Sequence, residues 1–131
     1  MVYCKILKSL SIRNAKLFPE LFGVRTFCDE NEFIVLMYKG NSPIGCCYCE
    51  IKDPIVNRKG IIKVNLRIDR FEIRKSFQRK GYGRYLFEWI VNNFSINKIS
   101  LMYLDDNALK FWKRMGFRVG KGYNNMHKIV K

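Results

Sequence analysis

The stretch Gln78-Arg79-Lys80-Gly81-Tyr82-Gly83 is a glycine-bearing basic turn between a strand-like segment and a helix-like one. The first amides of a helix lack partners within the helix, and the helix dipole adds partial positive charge, so such a turn can bind a phosphate. Gly81 and Gly83 would let the backbone approach a ligand without an intervening Cβ atom. The stretch lacks the lysine-serine ending of a P-loop and the third glycine of a dinucleotide fingerprint. It therefore predicts a phosphate site, with a plain helix cap as the alternative.

The segment before this turn alternates in polarity and then changes phase. Apolar residues occupy the even positions from Ile62 to Ile68, but they resume at the odd positions Phe71 and Ile73. A strand with one buried face alternates in this way, and one extra residue in the strand moves all later side chains to the other face. The pattern predicts a β-bulge between Ile68 and Phe71, with a strand that ends at Ile68 as the alternative.

Apolar residues that recur at helical spacing predict two helices after the turn. The first runs from Tyr82 to about Phe94. The second is capped by Asp105 or Asp106 and ends at Gly116, in the position that helices favour for glycine.

The rest of the chain supplies strands, a short helix and a loop. Ser11 can cap a helix that reaches about Phe18, and Glu20–Phe22 can add a further turn. A loop is predicted over Asp53–Gly60. The other strand-like runs are Val2–Leu7, Phe33–Tyr38, Ile44–Ile51, Ile99–Leu104, Phe117–Val119 and Met126–Val130. The order β-α-β-β-β-α-β-α-β-β predicts an α/β fold with a mixed sheet flanked by helices.

Length and composition are those of one globular domain, which would span residues 1–131. The apolar share is 48% and the aromatic share is 15%, so a packed core is expected rather than disorder. The sequence shows neither an apolar run of the roughly 20 residues that a membrane helix needs nor a secretory signal. A cytoplasmic protein is therefore expected.

Five cysteines raise the question of disulfides or a metal. Their number is odd, Cys46 and Cys47 are adjacent, and the single histidine, His127, lies in a strand-like run. No second cysteine pair or histidine cluster completes a zinc site. We expect buried free thiols and no metal.

The net charge of +14 predicts attraction to polyanions. A phosphorylated cofactor, a nucleic acid or an acidic protein surface would each satisfy it. After Asp106 every charged residue is basic. The alternative is a basic face that is simply solvated.

Two blocks of the sequence together resemble the GNAT acetyltransferases. Gln78–Gly83 is similar to the family signature Q/R-x-x-G-x-G/A, and the phase shift before it matches the family's bulged strand. Leu101–Phe117 looks like the second family block, in which a strand is followed by asparagine-alanine, a helix and glycine-phenylalanine. The blocks lie one helix and one strand apart, and they cover about half of the chain.

The resemblance implies the GNAT fold, a mostly antiparallel central sheet with a bulged, splayed central strand, and acetyl-CoA as co-substrate. The amides from Arg79 to Arg84 would bind the coenzyme A pyrophosphate. The backbone of Phe71 and Ile73 would pair with the pantetheine arm, and the thioester carbonyl would lie near the Ile73 amide. Asn107 would hydrogen-bond the same arm. The implied cofactor-binding residues are Phe71, Ile73, Gln78, Arg79, Lys80, Gly81, Tyr82, Gly83, Arg84 and Asn107.

The implied reaction is direct attack of a primary amine on the acetyl carbonyl, which requires a base and an acid. Asp69 is the first candidate base because some relatives carry a glutamate at that place, and Glu72 is the second. Either could instead be a solvated carboxylate paired with an arginine. Many relatives carry a tyrosine acid where this sequence has Trp112, whose indole is only a hydrogen-bond donor. Tyr103 is the substitute candidate, with plain packing of Tyr103, and protonation by water, as alternatives.

The acceptor is the least defined part of the implied reaction. The basic charge favours a bulky anionic acceptor such as aminoacyl-tRNA or an acidic protein, whereas polyamines are themselves cations. A non-catalytic coenzyme A-binding protein and a basic nucleic-acid-binding protein are the alternatives, and the second leaves both sequence blocks unexplained. The sequence is compatible with a dimer but defines no oligomeric state.

Overall fold

The computed structural model describes residues 1–19, 28–56, 58–60 and 62–130. The strands are β1 (Val2–Leu7), β2 (Glu32–Lys39), β3 (Ser42–Val56), β4 (Ile62–Ile73), β5 (Ile96–Met102), β6 (Arg118–Val119) and β7 (Asn125–Ile129). The helices are α1 (Ile12–Ala15), α2 (Tyr82–Asn93) and α3 (Asp106–Arg114), with a 3-10 turn at Lys75–Phe77. This is the predicted order of strands and helices. None of the helices in the described ranges is long and apolar enough to cross a membrane.

The strands form one sheet in the order β1-β2-β3-β4-β5-β7-β6. Every neighbouring pair is antiparallel except β4 and β5, which are parallel and joined by α2. The predicted mixed, mostly antiparallel sheet is confirmed. Its one parallel pair lies at the centre, where the helix connection brings the chain back across the sheet.

The predicted bulge is present in β4. Arg70 pairs with Tyr48 and Ile68 pairs with Cys49, so Asp69 is the extra residue between two successive pairs. The strand continues to Ile73, which excludes a strand that ends at Ile68. Beyond the bulge β4 keeps its pairing with β3 but loses β5.

The parallel ladder between β4 and β5 ends at the pair Ile68 and Leu101. The last five residues of β4 therefore have β3 on one side and an opening on the other. This opening is the predicted splay of the central strand, and it lies directly before the basic turn.

Apolar side chains cover both faces of the sheet. One face packs against α2 and α3 through residues such as Leu86, Ile90 and Trp112. The other face packs against α1 and the chain after it, with Phe18 fully buried against Leu36 and its neighbours. The opening between β4 and β5 lies on the side that α2 and α3 cover, because Phe71 and Ile73 belong to that cluster.

Several element bounds differ from those predicted. Strand β3 runs to Val56 with an irregularity between Lys52 and Ile55, so much of the loop predicted over Asp53–Gly60 is strand. Pairing with β4 stabilises this polar extension, whereas apolar alternation alone did not indicate it. Strand β5 begins three residues before the predicted Ile99, at Ile96, and ends at Met102 instead of Leu104.

The first helix is shorter than predicted. Ser11 caps it as expected, because its hydroxyl accepts from the Asn14 amide at 3.1 Å. The helix nevertheless ends at Ala15, after one turn, rather than near Phe18. The further turn predicted at Glu20–Phe22 lies outside the described residues.

The five cysteines are free thiols, but the prediction that they are buried is correct for only three of them, since Cys4 and Cys28 are half-buried. Cys46, Cys47 and Cys49 are fully buried, and desolvation raises the pKa of the Cys46 and Cys47 thiols above the ordinary value. Half-buried Cys4 has its pKa raised by burial to about 11. The Cys4, Cys46 and Cys47 thiols therefore stay protonated at neutral pH and pack as small apolar groups.

Candidate functional site

The basic turn ends at Gly81, which is the N-cap of α2. Its φ of 86° lies in the left-handed region, where a side chain is strained, and a Cβ atom at Gly81 would meet nothing within 4 Å. No side chain caps this end of α2. The first-turn amides of α2 therefore point out of the helix at an open, basic surface, as a phosphate site requires.

Gly83 also has a packing role that the sequence did not predict. A Cβ atom at Gly83 would lie 3.0 Å from Cε1 and 3.2 Å from Cζ of Phe111. The missing side chain lets the start of α2 contact the Phe111 ring on α3. Gly83 thus sets the distance between the two helices that flank the turn.

A cavity of about 530 Å³ lies between the end of β4, the basic turn and α3. Its lining includes eight of the ten predicted cofactor residues: Phe71, Ile73, Gln78, Arg79, Gly81, Gly83, Arg84 and Asn107. The other two, Lys80 and Tyr82, do not line it, and the Tyr82 ring packs beside Phe77 and Lys39. The part predicted for these two, through their backbone amides, stays a prediction.

A second cavity of about 290 Å³ adjoins the first. The residues that line both are Phe71, Ile73, Gln78, Asn107, Ala108 and Trp112. The three predicted catalytic residues Asp69, Glu72 and Tyr103 line this second cavity, together with Asp105 and Arg70. The structure thus brings the predicted catalytic residues to one end of a continuous cleft and the basic turn to the other. We call the first cavity the cofactor cleft and the second the acceptor cleft.

The end of β4 presents backbone groups to the cofactor cleft. The Arg74 amide donates to the Ile44 carbonyl of β3 at 2.8 Å. Successive residues of a strand direct their backbone groups to opposite sides, so the amides of Phe71 and Ile73 point away from β3 and into the opening. This is the orientation that pairing with an added extended ligand requires.

Gln78 links the basic turn to this strand end. Its Nε2 donates to the Ile73 carbonyl at 2.8 Å. An extended ligand beside β4 would therefore find the Ile73 carbonyl occupied and the Ile73 amide facing the opening. The position of Gln78 is that of a residue that holds the turn against β4, which sequence reasoning did not anticipate.

Two opposing effects act on the pKa of the Asp69 carboxyl. Burial raises the pKa of its carboxyl above the ordinary value, and the nearby Arg67, whose Nε donates to Oδ1 at 3.0 Å, lowers it. The net direction is upward, so burial outweighs the ion pair. Arg70 also donates to the Asp69 carbonyl oxygen at 2.7 Å, which fixes the backbone of the bulge.

Tyr103 lies where β5 leaves the sheet, and its backbone is held by the loop before β7. The Tyr103 amide donates to the Asn124 carbonyl at 3.0 Å, and Asn124 Nδ2 donates to the Tyr103 carbonyl at 3.1 Å. These bonds hold Asn124 beside Tyr103, which lines the acceptor cleft. Tyr103 is half-buried, with its side chain against the apolar cluster on the α2 face.

Trp112 is a core residue that also contacts both clefts. The residue is 5% exposed. The ring centroid lies 4.9, 5.7 and 5.1 Å from the centroids of Phe71, Phe87 and Phe117, each in an edge-on arrangement. The large indole fills the aromatic cluster beneath the cleft floor. It offers no acid at this place.

Two further basic residues of α3 line the cofactor cleft, and sequence reasoning gave them no site role. Lys110 and Arg114 lie on the cleft, whereas Lys113 of the same helix does not. A signal was available, because Asn107, Lys110 and Arg114 recur at i, i+3 and i+7 on the predicted helix. In the described ranges no three His, Cys, Asp or Glu side chains lie close enough to hold a metal ion.

A sheet that opens beyond a bulge towards an uncapped helix N-terminus is suited to hold an extended, phosphate-bearing ligand. The acetyltransferase (GNAT) domain model matches residues 29–119, more than half of the chain. The chain therefore belongs to the GNAT acetyltransferase family.

Solved structures share this fold. A Tyr-to-Phe variant of the AtaT toxin, bound to the C-terminus of the antitoxin AtaR and to acetyl-CoA, is 17% identical with a TM-score of 0.69, over 98% of this chain and 93% of that one. An acetyltransferase from Thermus thermophilus is 16% identical with a TM-score of 0.67, over 95% and 94%. AtaT complexed with acetyl-methionyl-tRNAfMet is 14% identical with a TM-score of 0.64, over 98% and 95%. No curated protein sequence matches the chain significantly.

Proposed function

We propose that this protein transfers the acetyl group of acetyl-CoA to the α-amine of an aminoacyl-tRNA by direct attack. The observation that carries the proposal is the continuous cleft, which is basic beside α2 and lined by carboxylates where β4 and β5 separate. AtaT has been solved with acetyl-CoA and with acetyl-methionyl-tRNAfMet, and its similar fold supports both substrates.

In this proposal acetyl-CoA lies along the cofactor cleft. Its pyrophosphate meets the first-turn amides of α2 beside Arg79 and Arg84. Its pantetheine arm runs beside Phe71 and Ile73 towards Asn107. The thioester carbonyl then accepts from the Ile73 amide, and that bond strengthens as negative charge develops on the oxygen.

The reaction joins the acceptor nitrogen to the acetyl carbon and breaks the bond from that carbon to sulfur. One proton leaves the nitrogen, and the coenzyme A thiolate gains one. Asp69 is the proposed base, because it lines the acceptor cleft and its pKa is raised, which makes it a stronger base than an ordinary carboxylate. Glu72 lines the same cleft and is the second candidate. The proposed proton donor to the thiolate is Tyr103, since Trp112 cannot serve.

The acidity of the acceptor favours an α-amine over a lysine side chain. An α-amine has a pKa of about 7.7–8.0, so roughly a tenth or more of it is neutral at pH 7. A lysine amine with a pKa of about 10.4 is neutral in only about one molecule in two thousand. A carboxylate is a weak base, and it suits an acceptor amine that already loses its proton near neutral pH.

The distribution of charge fits an amine attached to a polyanion. Asp69, Glu72 and Asp105 line the acceptor cleft, where a protonated amine would first bind. Outside the cleft, Arg118 and Lys121 are exposed on β6 and on the loop that Asn124 holds beside Tyr103. A free polyamine would bind only the carboxylates of the cleft. An aminoacyl-tRNA would bind these carboxylates with its amine and the basic rim, formed by Arg118 and Lys121, with its phosphates.

The test is transfer of label from acetyl-CoA to a pool of aminoacylated tRNA. We expect label on RNA that is removed by ribonuclease and by mild alkaline cleavage of the aminoacyl ester, and no label on the same tRNA after deacylation. Label that instead follows protein through protease digestion would replace the tRNA acceptor with a protein acceptor. Stabilisation by acetyl-CoA without labelling of any lysate fraction would indicate a non-catalytic binder.

Three sequence-based expectations complete the proposal. They are one domain over residues 1–131, a cytoplasmic location and catalysis without a metal. A dimer remains compatible with the sequence.

A further inference from the structure

The cofactor cleft carries more positive charge than a pyrophosphate needs. Arg79 and Arg84 approach it from the turn and α2, and Lys110 and Arg114 approach it from α3. Among the described residues that line this cleft, none is acidic. The first-turn amides of α2, with Arg79 and Arg84 beside them, would suffice for two phosphates that share about two negative charges.

Lys110 and Arg114 are placed to act together on a second anion. They are one helical turn apart, so their side chains start about 6 Å from each other on the same face of α3. The contact between Gly83 and Phe111 holds this helix against the start of α2, so the pair lies across the cleft from the turn. Both side chains are exposed, which leaves them free to reach a ligand group at the cleft mouth.

The basic residues of α3 also complement the negative end of the helix dipole. That effect does not require them to face the cleft, and Lys113 supplies it from outside the cleft lining. The helix dipole therefore does not explain why Lys110 and Arg114 lie on the cleft, whereas binding of an anionic ligand would explain it. The proposed co-substrate offers one further anion beyond its pyrophosphate, the phosphomonoester on its ribose, which carries a charge of about −1.5 to −2 at pH 7.

Resting on the proposed function, we propose that Lys110 and Arg114 bind the ribose 3′-phosphate of coenzyme A and make the enzyme select acetyl-CoA over its 3′-dephospho form. Arg114 can pair with this phosphate through two parallel hydrogen bonds, and Lys110 adds a compact charge beside it. The phosphate is remote from the acetyl group, so the pair tightens binding without entering the chemistry.

The experiment is a set of dissociation constants for acetyl-CoA and 3′-dephospho-acetyl-CoA, measured by calorimetry at one fixed ionic strength. The proteins are the wild type, Lys110→Ala, Arg114→Ala, their double variant and Lys113→Ala as the matched control. We expect the wild type to prefer acetyl-CoA by about 10–100-fold. The double variant should lose that preference by binding acetyl-CoA more weakly, while its affinity for the dephospho form stays within about twofold.

Lys113→Ala removes the same charge from the same helix turn and should keep the preference. Equal losses for both ligands in the double variant would overturn the inference, since they would indicate a general electrostatic effect. A wild type that binds both ligands equally would overturn it as well and leave the proposed function standing. A wild type that binds neither ligand would overturn the proposed function and this inference together.

Discussion

Asp69 combines a role in the shape of β4 with a role in its chemistry. It is the extra residue of the bulge, and its half-buried carboxyl has a pKa that burial raises in spite of Arg67. A raised pKa in the folded state means that folding disfavours the ionised form. Stability is therefore lost as the pH rises from the ordinary value of 3.8 through the raised pKa, and it stays reduced at pH 7.

The prediction for Asp69→Asn is lower activity without lower stability. Loss of a general base typically costs about 10²–10⁴-fold in turnover. The amide oxygen can still accept from Arg67, and the buried charge is gone, so the melting temperature at pH 7 should stay the same or rise. Turnover, acetyl-CoA affinity and melting temperature are the measurements. Asp106→Asn, on an exposed carboxylate outside both clefts, is the control.

The same residue sets a pH dependence. Turnover should fall as the pH drops through the raised pKa of Asp69, because the protonated carboxyl cannot accept a proton. Arg67→Met removes the ion pair that lowers this pKa, so the acid limb of the activity profile should move to higher pH. An acid limb unmoved by Arg67→Met, together with wild-type turnover in Asp69→Asn, would transfer the role of base to Glu72.

Tyr103 is tested through its hydroxyl alone. Tyr103→Phe keeps the ring in its apolar contacts and removes the proton donor, so kcat should fall by about tenfold or more while the KM for acetyl-CoA stays unchanged. The measurement is steady-state kinetics with both substrates varied. Wild-type kcat in Tyr103→Phe would assign the side chain to packing and leave protonation of the thiolate to water.

At the scale of elements, the cleft depends on how closely α2 and α3 approach each other. Phe111 cannot easily move away from Gly83, because its ring is held beside Phe71 at 5.6 Å and Trp112 at 4.8 Å. Alanine is a better helix former than glycine by about 1 kcal/mol at most, whereas overpacking typically costs about 1–3 kcal/mol. The steric effect is the larger one.

Gly83→Ala should therefore destabilise the protein by roughly 1 kcal/mol, although helix propensity alone predicts the opposite sign. It should also weaken acetyl-CoA binding, because α3 moves relative to the turn. Denaturant unfolding and ligand titration measure the two effects. In a Phe111→Leu background the same substitution should cost less or become stabilising, and an equal cost in both backgrounds would contradict the packing argument.

The sequence was most informative where one local pattern has one structural solution. A one-residue phase shift placed the bulge between Ile68 and Phe71, where the structure has it at Asp69. Of the two predicted caps of α3, Asp105 is the one that bonds to the Ala108 amide. It was least informative where long-range contacts decide. The polar end of β3 becomes strand because β4 pairs with it, and the packing role of Gly83 depends on Phe111, which lies 28 positions along the chain. The basic residues of the cofactor cleft come from the turn, α2 and α3, so predicting them together required the relative position of these elements.

For the whole molecule, the net charge of +14 and the local acidity of the acceptor cleft make a joint prediction. If exposed lysines and arginines hold the phosphates of tRNA, each contact releases counterions, and affinity falls with a slope of about −0.7 to −0.9 per contact on logarithmic axes. About four contacts would raise the KM for aminoacyl-tRNA by about 50–150-fold between roughly 50 and 200 mM salt.

The KM for acetyl-CoA should change much less over the same range, because its phosphates bind in a partly enclosed cleft where screening is weaker. For a small α-amino ester, which carries an amine but no phosphates, added salt should not raise the KM. Its protonated amine is attracted by the cleft carboxylates and repelled by the overall charge, so added salt should leave its KM unchanged or lower it.

The double variant Arg118→Ala/Lys121→Ala should reduce the salt slope for tRNA while leaving reaction with the small ester unaltered. A tRNA KM that is independent of salt would contradict recognition of the acceptor by the basic rim, even where label transfer to tRNA is observed.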